Sequence, residues 1–392
     1  MATFSHILSV YSADTAGVCS MLYELGGMVV VHDASGCNST YATHDEPRWQ
    51  TQPSRIFISA LTEQDAIMGN DARFVDDVCS CALEMTPRPH FIAICGAPIP
   101  MMIGTDFDAL GYEIEQRTGI PVLALHTSGM GSYLKGASDA LLALCKGFCL
   151  TEPRTDDGVL RVNILGATPL DFPRADTMSH LKSWLARHNM ALNAGMAMGG
   201  CTLVDITHAA QAAVNLVVSS DGLATAKWLR EQFAQPYVIG VPYGEKFADL
   251  LAEALREANA IGKCLTPCAQ HGEKSTLCAG VVGECVNASS LATALQLDCG
   301  QSSRVLMPFE PVEECLVEED AVIGDEDAVI REFAQYTAVY ADPMYRPLCP
   351  AEKPFFSMPS IAFSGRCYRE HCPQLLDTPL HFESQNDYTT HA

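Results

Sequence analysis

His32-Asp33-Ala34-Ser35-Gly36-Cys37-Asn38-Ser39-Thr40-Tyr41 follows directly on the apolar run Met28-Val29-Val30-Val31. Four apolar residues in a row before a polar, glycine-containing turn read as a short strand buried on both faces, as in a parallel sheet. A strand that ends in a tight glycine turn with a thiol at its lip presents a soft ligand from a rigid scaffold. Iron–sulfur or zinc chemistry suits that geometry better than packing does.

The same alternation of apolar runs and helical stretches extends in both directions from this point. It predicts strands at Arg55–Ser59, His90–Cys95 and Pro121–Leu125, and helices over Gly17–Leu25, Asp71–Met85, Phe107–Thr118 and Tyr133–Cys145. The polar stretch Thr151–Gly158 reads as a boundary. Beyond it, strands are expected at Leu160–Leu165, Leu216–Ser219 and Tyr237–Val241, with helices over Ala175–His188, Gly222–Phe233 and Gly244–Asn259. A third segment carries strands at Thr276–Val282, Ser303–Pro308 and Thr337–Ala341, a helix Asn287–Leu295 opened by an Asn cap, and a frayed polar tail after Leu376. The expected fold is α/β, with three Rossmann-like domains at 1–155, 156–265 and 266–392. Their mainly parallel sheets would surround a central cleft. Ligands in such sheets sit beyond the carboxyl ends of strands, where Gly36-Cys37, Thr62-Glu63 and Gly96-Ala97-Pro98 fall.

Composition narrows the function. The chain has 392 residues, 48% hydrophobic and 18% charged, which is ample for several buried cores. A net charge of −23 argues against nucleic acid, whose phosphates it would repel. No apolar run is long enough to span a bilayer, and Met1–His6 lacks the features of a signal peptide, so a cytoplasmic location is expected. The 17 cysteines lack the spacing of a secreted disulfide scaffold and fit a reducing, anaerobic cell.

Several motifs together resemble component 1 of nitrogenase and its relatives, a family that includes cofactor-assembly scaffold subunits and dark-operative protochlorophyllide reductases. His32–Cys37 is similar to the family's His-Gly-x-x-Gly-Cys. Leu61-Thr62-Glu63-Gln64-Asp65-Ala66-Ile67-Met68-Gly69 is similar to its Thr-Glu-x-Asp-x-x-x-Gly, and Ile103-Gly104-Thr105-Asp106 to its Ile-Gly-Asp-Asp. Ile120-Pro121-Val122 through Gly129-Met130 and Gly136 resembles the strand and glycine-rich loop that follow. Val162-Asn163-Ile164-Leu165-Gly166 and Leu223–Phe233 with Pro236 resemble the opening strand and a helix of the second domain.

The resemblance implies an iron–sulfur cluster, of the 4Fe–4S type, shared between two homologous subunits. Cys37 matches one ligand loop by motif. Family spacing for the other two lands on Ser12 and Pro98, while Cys19 and Cys95 lie nearby but displaced. Either Cys19, Cys37 and Cys95 form a rearranged ligand set, or Cys37 binds alone and a partner subunit supplies the rest. Gly36 would let the backbone approach the cluster, and Asn38 and Ser39 would donate hydrogen bonds to it. The family's large metallocofactor takes a Cys where this chain reads Val217-Val218-Ser219-Ser220, which argues against dinitrogen reduction.

The implied activity is that of an oxidoreductase subunit. It would be fed by a separate ATP-dependent iron–sulfur reductase and act on a small-molecule or tetrapyrrole-like substrate, partnered by a homologous component 1-like subunit. The alternatives are a non-catalytic scaffold for cofactor assembly and a metal-free binder.

Other candidates carry bland readings beside the chemical one. Glu63 and Asp65 read as acid/base groups or as helix caps. His32 reads as a proton donor or a structural histidine. His126 is expected to face the cavity, and Arg48 and Trp49 a subunit interface. Cys367-x4-Cys372 with His371, and Cys264-x3-Cys268 with His271, lack zinc-site spacing. Cys79 and Cys81 read as helix core. Gly272-Glu273-Lys274-Ser275 lacks the leading glycine of a phosphate loop, so ATP hydrolysis would belong to the partner. No catalytic residue is assigned.

Overall fold

The computed structural model describes residues 6–34, 46–151, 158–271 and 278–382. The run at Met28 forms β1 (Met28–His32), buried along its whole length. It lies between β2 (Ile56–Ile58) and β3 (Ile92–Gly96), with β4 (Val122–Leu125) outside β3. All three pairings are parallel. Parallel neighbours need crossovers, and helices Ala72–Glu84 and Phe107–Thr118 supply two of them. Their apolar faces (Phe74, Val75 and Val78; Leu110 and Ile114) close a core on Met28, Val30, Ile92 and Ile94. Helices Asp14–Leu22 and Tyr133–Phe148 pack on each other. These elements belong to one compact unit, Tyr11–Glu152 with Ala194–Ala209.

The other unit comprises Met1–Val10, Pro153–Asn193 and Ala210–Ala392. One of its sheets contains β5 (Leu160–Leu165), β6 (Met190–Gly195), β7 (Val214–Val217) and β8 (Tyr237–Ile239), in the order β6-β5-β7-β8. The other contains β9 (Ala279–Val282), β10 (Ser303–Met307), β11 (Ala321–Val322), β12 (Ala338–Ala341) and β13 (Phe355–Ser357), in the order β11-β10-β9-β12-β13. Every strand pairing whose register is described is parallel, so the α/β class with three parallel sheets stands.

Several elements differ from expectation. The helix expected at Asn287 begins at Cys285, because the Glu284 carboxylate accepts the Val286 and Asn287 amides (3.1 and 3.0 Å) and caps it earlier. The first helix ends at Leu22, short of the expected Leu25. The tail after Leu376 is anchored rather than frayed as far as Phe382. The Asp377 amide donates to the Pro242 carbonyl (2.8 Å), and Phe382 packs on Tyr340 and Phe356. No helix among the described residues is long and apolar enough to cross a membrane.

Candidate functional site

Cys95 is the penultimate residue of β3, paired with Val31 on one side and Leu125 on the other. Cys19 lies on helix Asp14–Leu22, every residue of which is buried. Neither sulfur is open to solvent, at 0% and 3% residue exposure. Burial pushes the Cys95 thiol up to about 12. Burial, with Cys95 and Glu46 as neighbours, raises Cys19 well above its ordinary value. Both therefore stay protonated at neutral pH.

The stretch that carries Cys37 departs and returns beside this pair. It departs after Ala34, where His32 is in register with Gly96, the residue following Cys95. It returns at Glu46, whose charge acts on Cys19. Gly36, Cys37, Asn38 and Ser39 themselves lie outside the described residues.

Both anchors are firmly held. His32 Nδ1 hydrogen-bonds Ser59 Oγ (2.7 Å), the Asp33 amide donates to the same oxygen (3.1 Å), and the Leu61 amide donates to the Asp33 carbonyl (2.9 Å). The imidazole packs on Phe74, ring centroids 4.3 Å apart. Burial lowers its pKa to about 4, so it is neutral at pH 7 and the structural reading of His32 prevails over the proton donor. On the returning side, the Arg48 side chain is 10% exposed and held within this chain. Its guanidinium donates to Glu46 (2.7 Å), Glu24 (3.2 Å) and the carbonyls of Ser20 (2.6 Å) and Ala197 (2.8 Å). It also lies over the Tyr23 ring at 4.9 Å. Ser20 follows Cys19, so this ion cluster ties Glu46 to the helix of Cys19.

A third loop closes over Cys95 from β4. Asp14 is 4% exposed, and its carboxylate accepts the Ser128 and Gly129 amides (both 2.8 Å) and the Ser128 hydroxyl (3.1 Å). Thr127 Oγ1 donates to the Gly96 carbonyl (2.5 Å). Asp14 belongs to no motif in the sequence. Its signal was present as the single carboxylate at the head of the otherwise uncharged run Ala13–Leu22.

The remaining candidates resolve toward their bland readings. Asp65 closes a capping box with Thr62, whose side chain accepts the Asp65 amide (3.1 Å) and whose amide and hydroxyl donate to the Asp65 carboxylate (3.2 and 2.5 Å). His126 is exposed beside Asp108 (3.3 Å). His271 is buried between the Cys268 carbonyl (3.0 Å) and Asp320 (2.9 Å). Cys79 is buried and Cys81 half-buried on their helix; Cys367 is exposed. The tract 272–275 lies outside the described residues. Among the described residues no set of three or more His, Cys, Asp or Glu converges on a metal ion. Cys19 and Cys95 are electrostatically coupled and are two soft donors, fewer than the four thiolates that hold a cubane cluster.

The model of the nitrogenase component 1 type oxidoreductase family matches residues 14–271. The nitrogenase iron-molybdenum cofactor biosynthesis protein NifE of Sinorhizobium fredii is 28% identical over 211 residues, covering 53% of this chain and 40% of that protein. The nitrogenase molybdenum-iron protein beta chain of Methanothermobacter thermautotrophicus is 22% identical over 255 residues, covering 58% of this chain and 54% of that one. The chain therefore spans about half or less of the length of these curated relatives. A structure described as nitrogenase Cp1 at pH 6.5 superposes with a TM-score of 0.66 at 15% identity, over 92% of this chain and 87% of that one. A second, nitrogenase Cp1 at pH 5, gives 0.61 at 14% identity over 89% and 82%. At such identities the superpositions establish the fold alone.

Proposed function

The chain belongs to the nitrogenase component 1 type oxidoreductase family, and from that premise we propose that it is the electron-accepting subunit of a nitrogenase-like oxidoreductase. It accepts low-potential electrons from a separate ATP-dependent iron–sulfur reductase and delivers them to a small-molecule or tetrapyrrole-like substrate. An iron–sulfur cluster of the 4Fe–4S type would supply the one-electron carrier, held by Cys37 and Cys95 with Cys19 beside them. The remaining thiolate would come from a homologous partner subunit.

The observation that carries this reading is the Cys19–Cys95 pair, flanked by both ends of the stretch bearing Cys37. The chain's own contribution is placement and exclusion of water. Asp14 holds the loop after β4, Arg48 holds the returning strand of chain, and His32 stands neutral beneath the departing one. Sulfur ligands buried in this way set the potential of what they bind through low dielectric and few charged neighbours.

Anaerobic co-purification with candidate partner chains, followed by iron and acid-labile sulfide analysis, tests the proposal. Bound iron that disappears in Cys37→Ala and falls in Cys95→Ser supports it. A colourless, iron-free complex under strict anaerobiosis refutes it. The second reading is a scaffold that binds a cofactor precursor and hands it on. Its support is the likeness to a protein named for cofactor biosynthesis and the lack of a cysteine at 217–220. Iron-loaded protein that transfers its cargo but does not turn over with reductase and ATP selects that reading.

A further inference from the structure

Far along the sequence from the thiols, three carboxylates gather at the carboxyl ends of parallel strands in the unit of residues 153–193 and 210–392. Asp171 follows β5, Asp221 follows β7 and Glu284 follows β9. The residues after β7 link them. Ser219 Oγ donates to Asp171 (2.8 Å), and the Ser220 amide donates to Glu284 (3.0 Å). Asp221 lies between, 1% exposed.

The three differ in how their oxygens are satisfied. Glu284 receives the amides of Ser220, Val286 and Asn287 and the Asn287 side-chain amide, at 3.0 to 3.1 Å, at the head of a 15-residue helix. That is a full set of donors for an anion. Asp171 is half-buried, and the Ser219 hydroxyl is one of its partners. Asp221 receives nothing of good geometry on either oxygen among the described residues. The two nearest donors are already committed, Ser219 Oγ to Asp171 (2.8 Å) and the Gly222 amide to the Ser219 carbonyl (3.0 Å). The backbone of Gly166 closes the remaining side, where a Cβ would come 2.2 Å from Asp221 Oδ1.

An ionised carboxylate without donors, out of contact with water and beside two other carboxylates, is among the costliest groups a protein can bury. The group escapes that cost by keeping its proton. Burial disfavours ionisation of Asp221 most, the facing Asp171 and Glu284 carboxylates add to that, and the nearby Ser219 hydroxyl and Gly222 amide oppose it only in part. The neighbouring Tyr243 hydroxyl is spent on Asn287 Oδ1 (2.7 Å). Cys372, which acts on Tyr243, is held as a neutral thiol by burial.

We propose that Asp221 is carried as the neutral carboxylic acid at pH 7 and that Asp171, Asp221 and Glu284 form a proton-holding site, filled from solvent through the half-buried Asp171. A carboxylic acid next to a carboxylate can pass its proton across, so that the negative charge moves from one group to the other while the total charge of the pair stays the same. Reduction of an organic substrate consumes one proton for each electron added. Asp221 would release its proton, become a carboxylate and be refilled from water by way of Asp171. That use rests on the function proposed above, whereas the protonation itself does not.

Infrared spectroscopy of the whole chain decides the matter without any turnover. At pH 7 the wild-type protein should show a protonated-carboxyl carbonyl band that shifts in deuterated water. The band should move to lower frequency on 13C-aspartate labelling, stay in place on 13C-glutamate labelling, and be absent from Asp221→Asn. The labelling arm stands even if the variant does not fold. Absence of the band at pH 7, its response to glutamate rather than aspartate labelling, or its persistence in a folded Asp221→Asn overturns the proposal. Failure of turnover with every reductase, while the band behaves as described, would remove the electron-transfer reading and leave the protonated Asp221 in place.

Discussion

Gly17 and Gly136 each lie against the backbone of the other's helix. A Cβ on Gly17 would come 1.9 Å from the Tyr133 carbonyl oxygen, and one on Gly136 would come 1.9 Å from the Asp14 carbonyl oxygen. The two helices therefore cross at main-chain contact, and this crossing sets the depth of Cys19, two residues beyond Gly17. Backbone cannot step aside as a flexible side chain can. Gly136→Ala should cost about 3 kcal/mol, the upper end of the overpacking range, and Gly17→Ala a similar amount. Urea unfolding measures both. Midpoints unchanged from wild type would show that the helices do not cross this closely.

The thiols should sort by burial when the metal-free protein is alkylated. Cys299 and Cys367 are exposed, whereas Cys19 and Cys95 are closed to solvent with their thiolate forms suppressed. Iodoacetamide at pH 8 should modify Cys299 and Cys367 in the native protein and reach Cys19 and Cys95 only in denaturant. Peptide mass spectrometry reads the order. Early modification of Cys95 would mean that β3 opens at its carboxyl end.

Much of this architecture is legible in the residues themselves, because continuous apolar runs such as Val29–Val31 and Ile92–Cys95 mark strands buried on both faces. Other elements are hidden for physical reasons. Helix Pro98–Ile103 looks broken by its prolines, yet Pro98 occupies the first helical position, where no amide partner is lost. β6 escapes notice because Asn193 interrupts its pattern, its side chain turned to Asn163 (2.8 Å). The carboxylate group at residues 171, 221 and 284 has no local spacing at all, since only the strand topology assembles it. Cys37 is the opposite case, plain as a motif and outside the described residues. The pair it would join, Cys19 and Cys95, rests on a helix and a strand whose mutual approach no spacing announces.

Arg48 supports a prediction of loss. Its guanidinium is buried with Glu46 and Glu24, and its side chain is 10% exposed against 5% for each partner. Removing one member of a buried cluster leaves the others charged and unpaired, at a cost of about 3–5 kcal/mol. Arg48→Ala should lower stability by that amount, while Arg48→Met with Glu46→Gln and Glu24→Gln should recover part of it. A single variant as stable as wild type would place this cluster in water. In anaerobically reconstituted protein, Arg48→Ala should also retain less iron, because Glu46 begins the chain returning from Cys37.

His32 predicts how stability varies with acid. Burial lowers its pKa to about 4 from an ordinary 6.5, so the unfolded chain binds a proton in this interval that the folded chain refuses. Above pH 6.5 both states are neutral and the residue contributes nothing to the pH dependence. As pH falls through that value the unfolded state gains, and the loss of stability levels off below pH 4, where the folded ring protonates as well. At about 1.4 kcal/mol per pH unit, the full loss is about 3 kcal/mol. His32→Gln should keep a hydrogen bond to Ser59 and remove this slope, so the variant should lose less stability than wild type between pH 6.5 and 4. Denaturant titrations at a series of pH values compare the two. Parallel curves for variant and wild type would show that the imidazole is wet and titrates normally, and would free it for the proton-donating role that its neutral, buried state denies it.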